Sequence, residues 1–228
     1  DLLDRLDPAY YHGAHLNLIN ELKRHPFKVQ ELEEVTDSII SGQRPKGGVK
    51  HIKSGIPSLG GEHITPHGDF DFEELRFIPE IFHRKQMKSA IEPLDILIVK
   101  DGATTGKVAI VPEDFPFKEC NINEHLFKVR VKRGIDPYYS FAYLFSDLGQ
   151  MQIRRLISGA AQKGITRETV GQVRIVIPPP ELQKKIASEV RQIMSEVKMM
   201  KVDAEQVIVN AEKQVEEMMA RNTAPGIS

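Results

Sequence analysis

The chain contains 228 residues, of which 40% are hydrophobic and 28% are charged, and its formal net charge is −1. This composition is typical of a folded globular protein, and the single cysteine excludes both an intrachain disulfide framework and a multi-cysteine metal site. No apolar run approaches the roughly eighteen residues of a membrane span and no signal peptide is recognisable, so we expect a cytoplasmic protein without membrane contact. Because the first residue is Asp1 rather than methionine, we expect a fragment or a processed product.

Basic residues cluster in three stretches that contain no acid, at residues 38–61, 125–135 and 148–167. If these stretches meet in the folded chain, they form a polyanion-binding face on a protein that is neutral overall. The alternative for each stretch on its own is an ordinary solvated surface. The distribution of charge, rather than its sum, therefore keeps nucleic acid among the candidate ligands.

In chain order, residues 1–26 are predicted to form a helical lead-in segment, which ends where Pro26 disfavours the helical conformation of His25. Residues 27–180 are predicted to form one globular domain. A polar and basic surface loop follows residue 40, because glycine and proline interrupt the apolar pattern there. Strands are predicted at residues 56–59, 76–78, 95–100, 107–111, 126–132 and 174–177, and helices at residues 136–145 and 151–157.

Two of these elements bear on ligand binding. In the strand at residues 126–132, apolar and basic residues alternate, which predicts that Lys128, Arg130 and Lys132 share one exposed face. The helix at residues 136–145 is rich in aromatic residues, which we expect to pack in the core. The alternative is that its tyrosines stack on nucleic-acid bases.

The last fifth of the chain is predicted to be one long helix, residues 181–220, followed by a tail at residues 221–228. About forty residues at roughly 1.5 Å each give a rod of about 60 Å, along which apolar residues recur with coiled-coil spacing and one stutter. Such a narrow stripe needs a partner helix from a second copy, from a longer parent chain or from another subunit. The stripe consists of Ile186, Val190, Ile193, Val197, Met200, Ala204, Ile208, Ala211, Val215 and Met218.

The sequence lacks recognisable catalytic motifs. Residues 102–107 hold three residues between their glycines and no Ser or Thr follows the lysine, whereas a phosphate-binding P-loop needs four and a hydroxyl. His63 and His67 are separated by a proline, so they cannot share a helix face as zinc ligands. We find no nucleophile elbow and no organised acid–base pair. We therefore predict no catalytic residue, no metal site, no cofactor and no enzymatic activity.

The sequence SGAAQKGIT at residues 158–166, followed by IPPPELQKKIA at residues 177–187, resembles the closing signature of a DNA-specificity module of type I restriction-modification systems. Residues 95–109, which contain DILI and GATTGKVA, are similar to the central strand–turn–strand motif of that family. Residues 32–45 resemble its entry, and residues 5–11 resemble the segment that precedes a module. The resemblance covers nearly the whole chain in the right order. It departs in copy number, since a full specificity subunit has two recognition domains and two long helices.

The resemblance implies an α+β fold, in which a mixed α/β target recognition domain at residues 27–180 precedes one long C-terminal coiled-coil helix. It further implies a non-catalytic module that binds double-stranded DNA and directs partner methyltransferase and restriction subunits to a bipartite site. In the family, two such units pair through antiparallel helices, which favours a half-subunit that forms a homodimer. An alternative is the specificity domain of a larger, fused type II restriction-modification enzyme. A coiled-coil scaffold that does not bind DNA is a hypothesis of a different class.

Predicted DNA contacts fall in three parts of the sequence. Lysines are expected to contact phosphates, whereas glutamine and arginine side chains suit the edges of adenine and guanine. Gly102 and Gly106 are expected to allow a tight turn rather than to touch DNA. The alternative for each contact residue is a surface side chain bonded to water. The predicted contacts are Gln43, Arg44, Lys46, Lys50 and Lys53 in the first basic loop, Thr104, Thr105 and Lys107 at the central turn, and Gln162, Lys163 and Arg167 farther on.

Overall fold

A computed structural model of the chain describes residues 17, 20–157 and 164–222. The chain divides into two compact units, Asp1–Ala187 and Ser188–Ser228. The first unit contains all the strands among the described residues, and the second continues the C-terminal helix. The predicted α+β class, with one long C-terminal helix, is confirmed.

A four-stranded antiparallel sheet forms the centre of the first unit. Its strands are β2 (Thr36–Ser41), β8 (Leu126–Val131), β5 (Ile96–Val99) and β6 (Val108–Ile110), in that spatial order. Every residue of β5 is fully buried, which explains why this strand is an uninterrupted run of Ile, Leu and Val rather than an alternating pattern.

Two smaller sheets complete the β-structure. In one, β3 (Ile56–Leu59) pairs with β4 (Arg76–Ile78) in the antiparallel sense and with β7 (Asn121–Ile122) in the parallel sense. In the other, β1 (Lys28–Glu31) pairs antiparallel with β9 (Arg174–Ile177). This last pairing ties the beginning of the globular domain to the segment that leads into the long helix.

Residues 20–23 are helical, and the described part of the chain contains four further short α-helices and one long one. They are α1 (Glu80–Lys85), α2 (Pro137–Phe145), α3 (Asp147–Leu156), α4 (Arg167–Gly171) and α5 (Pro180–Asn222). Helix α2 begins where the Asp136 carboxylate accepts hydrogen bonds from two backbone N–H groups of the first turn, with Pro137 at the first helical position.

Four of the five aromatic residues of α2 lie in the core, as we expected, whereas Phe145 is 40% exposed. Tyr138, Tyr139, Phe141 and Tyr143 are all less than 9% exposed. The Tyr138 hydroxyl donates to the Glu113 carboxylate at 2.8 Å, and the Tyr139 hydroxyl donates to a backbone carbonyl of β9. Since these rings are already buried against protein, they are not available as stacking platforms for bases.

The expectation of an exposed basic face on β8 was wrong. Lys128 is only 4% exposed and its ammonium donates to the Ala90 carbonyl, while burial lowers its pKa. Arg130 binds the buried carboxylate of Asp95, a hydrogen bond that raises the pKa of the guanidinium. The Lys132 ammonium donates to the Glu34 carbonyl at 2.8 Å. Residues 90–95 cover Lys128 and bind Arg130, so these two charges are used within the fold, whereas Lys132 remains exposed.

Helix α5 starts against the globular domain and continues as an exposed helix. Gln183 is 2% exposed; its amide oxygen accepts from the Asp136 N–H at 3.0 Å, and its amide nitrogen donates to Pro178 at 2.9 Å. Ala187 is also buried. From Ser188 to Met219 every described side chain is exposed or partly exposed. None of the helices in the described parts of the chain is long and apolar enough to cross a membrane.

Candidate nucleic-acid interface

One end of the central sheet gathers loops from all three basic stretches. The end of β2, the end of β5 and the start of β8 lie at this edge, because Ser41 pairs with Phe127 and Val99 pairs with Leu126. The end of the third basic stretch joins them, since Gly164 forms a β-bridge with Asp101 and the Ile165 N–H donates to the Lys100 carbonyl at 2.8 Å. We refer to this edge, with the loops at residues 42–53, 100–107, 123–125 and 164–167, as the loop end.

The first basic loop is fixed to the loop end by its backbone. The Gly42 N–H donates to the Leu126 carbonyl at 3.1 Å, and the Gln43 N–H donates to the Ile122 carbonyl at 3.3 Å. A Cβ atom on Gly42 would lie 2.2 Å from the carbonyl oxygens of Ile122 and Asn123. Only glycine permits so close an approach of two backbones, so the start of this loop has a defined position.

This close approach places Arg44 beside Glu124. The Arg44 Nε atom lies 2.6 Å from Glu124 Oε1, and the two side chains are 52% and 28% exposed. The other carboxylate oxygen of Glu124 is buried and receives no hydrogen bond in the described structure. An exposed arginine is thus paired with a partly buried acid.

Further polar side chains surround Glu124. His125 lies between two acids, with Nδ1 2.5 Å from Asp101 Oδ1 and Nε2 3.5 Å from Glu124 Oε1. The Lys100 ammonium donates to the Glu124 carbonyl at 3.1 Å and reaches the Ser41 hydroxyl at 3.5 Å. The loop end is therefore not uniformly basic, because its cations and acids form a connected network.

The central turn depends on glycine at both ends. Gly102 and Gly106 have φ values of +93° and +92°, which confirms their structural role in a tight turn. The Thr105 hydroxyl donates to the Gly102 carbonyl at 2.6 Å. The Lys107 ammonium is partly buried and donates to the Ile64 carbonyl at 3.2 Å. Thr105 and Lys107 thus already have partners within the fold, while Thr104 is partly exposed.

The remaining predicted contacts differ in how accessible they are. Lys46, Lys50, Lys53 and the Gln43 side chain are exposed, and the three lysines make no ion pair or hydrogen bond within the parts of the chain that are described. Arg167 is exposed, but its Nε donates to the Ile39 carbonyl at 3.3 Å and it lines a cleft with acidic residues of the segment 33–37. Gln162 and Lys163 lie outside the described residues.

Sequence reasoning missed Lys100, Asp101, Glu124 and His125 at the loop end. These residues are far apart along the chain, so no periodic sequence pattern connects them. The predicted DNA contacts were basic or polar residues and included no acids. A usable signal was present, because Asp101 and His125 both flank strands that were predicted correctly. Charged residues directly after one antiparallel strand and directly before its neighbour meet at the same edge of a sheet.

The described residues give little support for chemistry at a metal or thiolate. Among them, no three His, Cys, Asp or Glu side chains are grouped as metal ligands would be. Cys120 is 1% exposed, and burial raises the pKa of its thiol to about 12. A buried thiol that keeps its proton is a packing group rather than a nucleophile.

Known proteins similar to this chain include specificity subunits of restriction enzymes. One relative, 29% identical over 171 residues, is named as the specificity subunit of the type I restriction enzyme MjaX of Methanocaldococcus jannaschii. The aligned part covers 74% of this chain and 36% of the relative, so the chain spans about a third of the length of the curated relative.

Two solved structures share the fold. The HsdS subunit of Thermoanaerobacter tengcongensis matches with a TM-score of 0.51 and 22% identity, over 85% of this chain and 46% of that one. The type IIG restriction endonuclease BpuSI matches with a TM-score of 0.58 and 13% identity, over 80% of this chain and 28% of that one. At these identities the likeness concerns the fold alone.

The family model for the type I restriction modification DNA specificity domain matches residues 25–208, which include the whole loop end and the first part of α5. This span holds the sheets, the loops and the helix start described above. The chain therefore belongs to the family of type I restriction-modification DNA specificity domains.

Proposed function

We propose that this chain is the sequence-specific DNA-recognition module of a restriction-modification system and that it binds double-stranded DNA with its loop end. The attachment of the exposed first basic loop to one end of the central sheet, beside the central turn and residues 164–167, carries the proposal. Exposed Lys46, Lys50 and Lys53 provide charge for phosphates, and exposed Gln43 and Arg44 provide donors for base edges. Residues 27–180 would then act as the target recognition domain.

The chain's role in this proposal is recognition without catalysis or cofactor. Methylation and cleavage would be carried out by methyltransferase and restriction subunits that the chain brings to a bipartite site. Family membership supports this division of labour, and a cytoplasmic location is consistent with it.

Helix α5 supplies the proposed contact between two recognition modules. Ile193, Val197, Met200, Ile208, Val215 and Met218 of the predicted stripe are between 40% and 66% exposed. A stripe of exposed apolar side chains at coiled-coil spacing favours burial against another helix. We propose a homodimer in which the two α5 helices, residues 181–220, pair antiparallel, which would favour a palindromic bipartite DNA target.

Two measurements test the proposal. The first is binding to a mixed-sequence DNA duplex at low salt, which should weaken steeply as salt rises, because counterions are released from each neutralised phosphate. A protein that ignores DNA at low salt would be a coiled-coil scaffold instead. The second is the mass in solution by light scattering, where a dimer would appear near 52 kDa, twice the 25.8 kDa mass of the chain.

The fold of BpuSI supports a second candidate, the specificity domain of a fused type II restriction-modification enzyme. The two candidates differ in what α5 contacts. A separate recognition subunit should dimerise or bind a purified methyltransferase subunit, whereas a domain taken from a fused enzyme should remain monomeric and alone. Light scattering with and without the methyltransferase subunit distinguishes them.

A further inference from the structure

The pairing of Arg44 with Glu124 leaves a specific part of the arginine free. The Arg44 guanidinium, which carries five N–H donors, approaches Glu124 most closely through Nε, 2.6 Å from Oε1, and neither Nη1 nor Nη2 makes a hydrogen bond within the described residues. No other contact of this guanidinium occurs within the described residues, and the side chain is 52% exposed. The outer edge, formed by Nη1 and Nη2, therefore remains available to a ligand.

Glu124 is itself held in place from several sides. The Lys100 ammonium donates to its carbonyl at 3.1 Å, and the next N–H, that of His125, donates to the Asn123 side chain at 2.9 Å. On the Arg44 side, the glycine contact fixes the backbone two residues before the arginine. Both ends of the ion pair are thus attached to rigid parts of the sheet, so the orientation of the guanidinium is set before a ligand arrives.

An exposed guanidinium that is held by an acid and keeps two terminal nitrogens without hydrogen bonds matches one base in particular. Guanine presents two acceptors, O6 and N7, side by side in the major groove, and arginine donates to both at once. Lysine, as a flexible point charge, cannot reproduce this two-pronged geometry. A surface ion pair that served only stability would contribute little, since exposed ion pairs stabilise a fold weakly.

We propose that Arg44 is a specificity-determining residue that reads a guanine in the DNA target and that Glu124 is its positioning residue. This inference rests on the proposed function, and it deepens it by assigning one base class to one side chain. It also assigns a role to Glu124, an acid, in a surface whose other proposed DNA contacts are cationic or neutral side chains. The acid has a cost, because its negative charge opposes the approach of DNA.

The test is a selection from a duplex library with randomised positions, bound at low salt by the full chain and then sequenced. The wild-type chain should select a guanine at one or more positions. Arg44→Lys should lower the preference for guanine at one position by at least about tenfold and leave the other positions unchanged. Glu124→Ala should lower the preference at that same position, whereas Glu124→Gln, which keeps an acceptor for Nε, should retain most of it.

The affinity for non-specific DNA is a second readout, and it would not rise in the Glu124 variants if Glu124 served only to stabilise the fold. Both Glu124 variants remove a negative charge near the DNA, so their binding to a mixed-sequence duplex should be as tight as that of wild type or tighter. The Glu124→Ala variant would then bind mixed-sequence DNA more tightly than wild type but show a weaker preference for guanine. Thermal unfolding of each variant shows that the fold is intact.

A matched control exists on α1. Arg84 forms an ion pair with Glu119 at 3.1 Å, and the two side chains are 56% and 36% exposed, close to the values of the Arg44 pair. Arg84→Lys should leave the selected sequence unchanged.

Two outcomes overturn the inference alone. They are an unchanged guanine preference in Arg44→Lys and a loss of preference at different positions in the Arg44 and Glu124 variants. In both cases sequence-specific DNA binding itself survives. If the wild-type chain binds no duplex at low salt, or binds it without sequence preference, the proposed function fails together with this inference.

Discussion

Arg130 holds the carboxylate of Asp95 in a two-pronged contact, with Nε 2.7 Å from Oδ1 and Nη2 2.8 Å from Oδ2. The contact joins β8 to the residue just before β5. Asp95 is 1% exposed, and its Oδ2 also accepts from the Glu92 N–H at 2.8 Å. The arginine that we expected on a fully exposed face of β8 is therefore bound to a buried acid of the fold.

Replacing Asp95 by alanine should destabilise the fold substantially. Removal of one partner from a buried pair leaves the other charge uncompensated, which costs about 3–5 kcal/mol when burial is complete. Because the Arg130 side chain is 36% exposed, we expect about 2–3 kcal/mol in the free energy of unfolding, measured with denaturant. The control is Glu92→Ala, since Glu92 is 67% exposed and contacts the same arginine at 3.0 Å. Equal costs for the two variants would contradict this role for Asp95.

Burial of Cys120 should make stability depend on pH in alkaline solution. The pKa of its thiol is raised from 9.0 to about 12 in the folded chain. Between these values the unfolded chain releases a proton that the folded chain keeps, so stability is fully present below pH 9 and falls as pH rises toward 12. Comparison with Cys120→Ala isolates this contribution from that of lysines and tyrosines. We expect the wild-type free energy of unfolding to fall more steeply, and parallel pH profiles would contradict the prediction.

Lys46→Ala should weaken binding to all DNA sequences alike. Lys46 is exposed in the first basic loop, and a lysine bound to a phosphate contributes affinity without sequence information. We expect the slope of log affinity against log salt concentration to decrease by about one unit, measured by titration at several salt concentrations. Lys85→Ala, which removes an exposed charge from α1, should leave the slope unchanged. An unchanged slope in Lys46→Ala removes this residue from the set of contacts.

Ile193→Glu should abolish self-association through α5. Ile193 belongs to the apolar stripe and is 58% exposed, and a charge there would have to be buried between two helices. Val202→Glu is a matched control, because Val202 is also 58% exposed and lies nine residues along the helix, which is about half a turn around its axis. Light scattering should show a monomer for Ile193→Glu and a dimer for Val202→Glu. If both variants have the wild-type mass, the stripe is not the contact between copies.

Local sequence patterns were sufficient to predict several elements of the fold. Strand β5 follows from an uninterrupted Ile-Leu-Ile-Val run, which only a strand buried on both faces tolerates. Helix α5 follows from over forty residues of helical periodicity without glycine or proline between the initial prolines and its end. Strands β1, β2 and β7 were not predicted, because each owes its conformation to a partner distant in sequence.

The sequence by itself determined the fold class, the long helix with its apolar stripe, and the glycine-bounded central turn, because each of these depends on neighbouring residues. Only the tertiary structure decided which charges remain free. The alternation in β8 gave no sign that residues 90–95 would cover Lys128 and Arg130, and Arg44 and Glu124 are separated by eighty residues. Whether a charged side chain pairs within the fold or stays available to a ligand depends on which residues pack against it. Contacts between residues far apart in the sequence cannot be read from a local pattern.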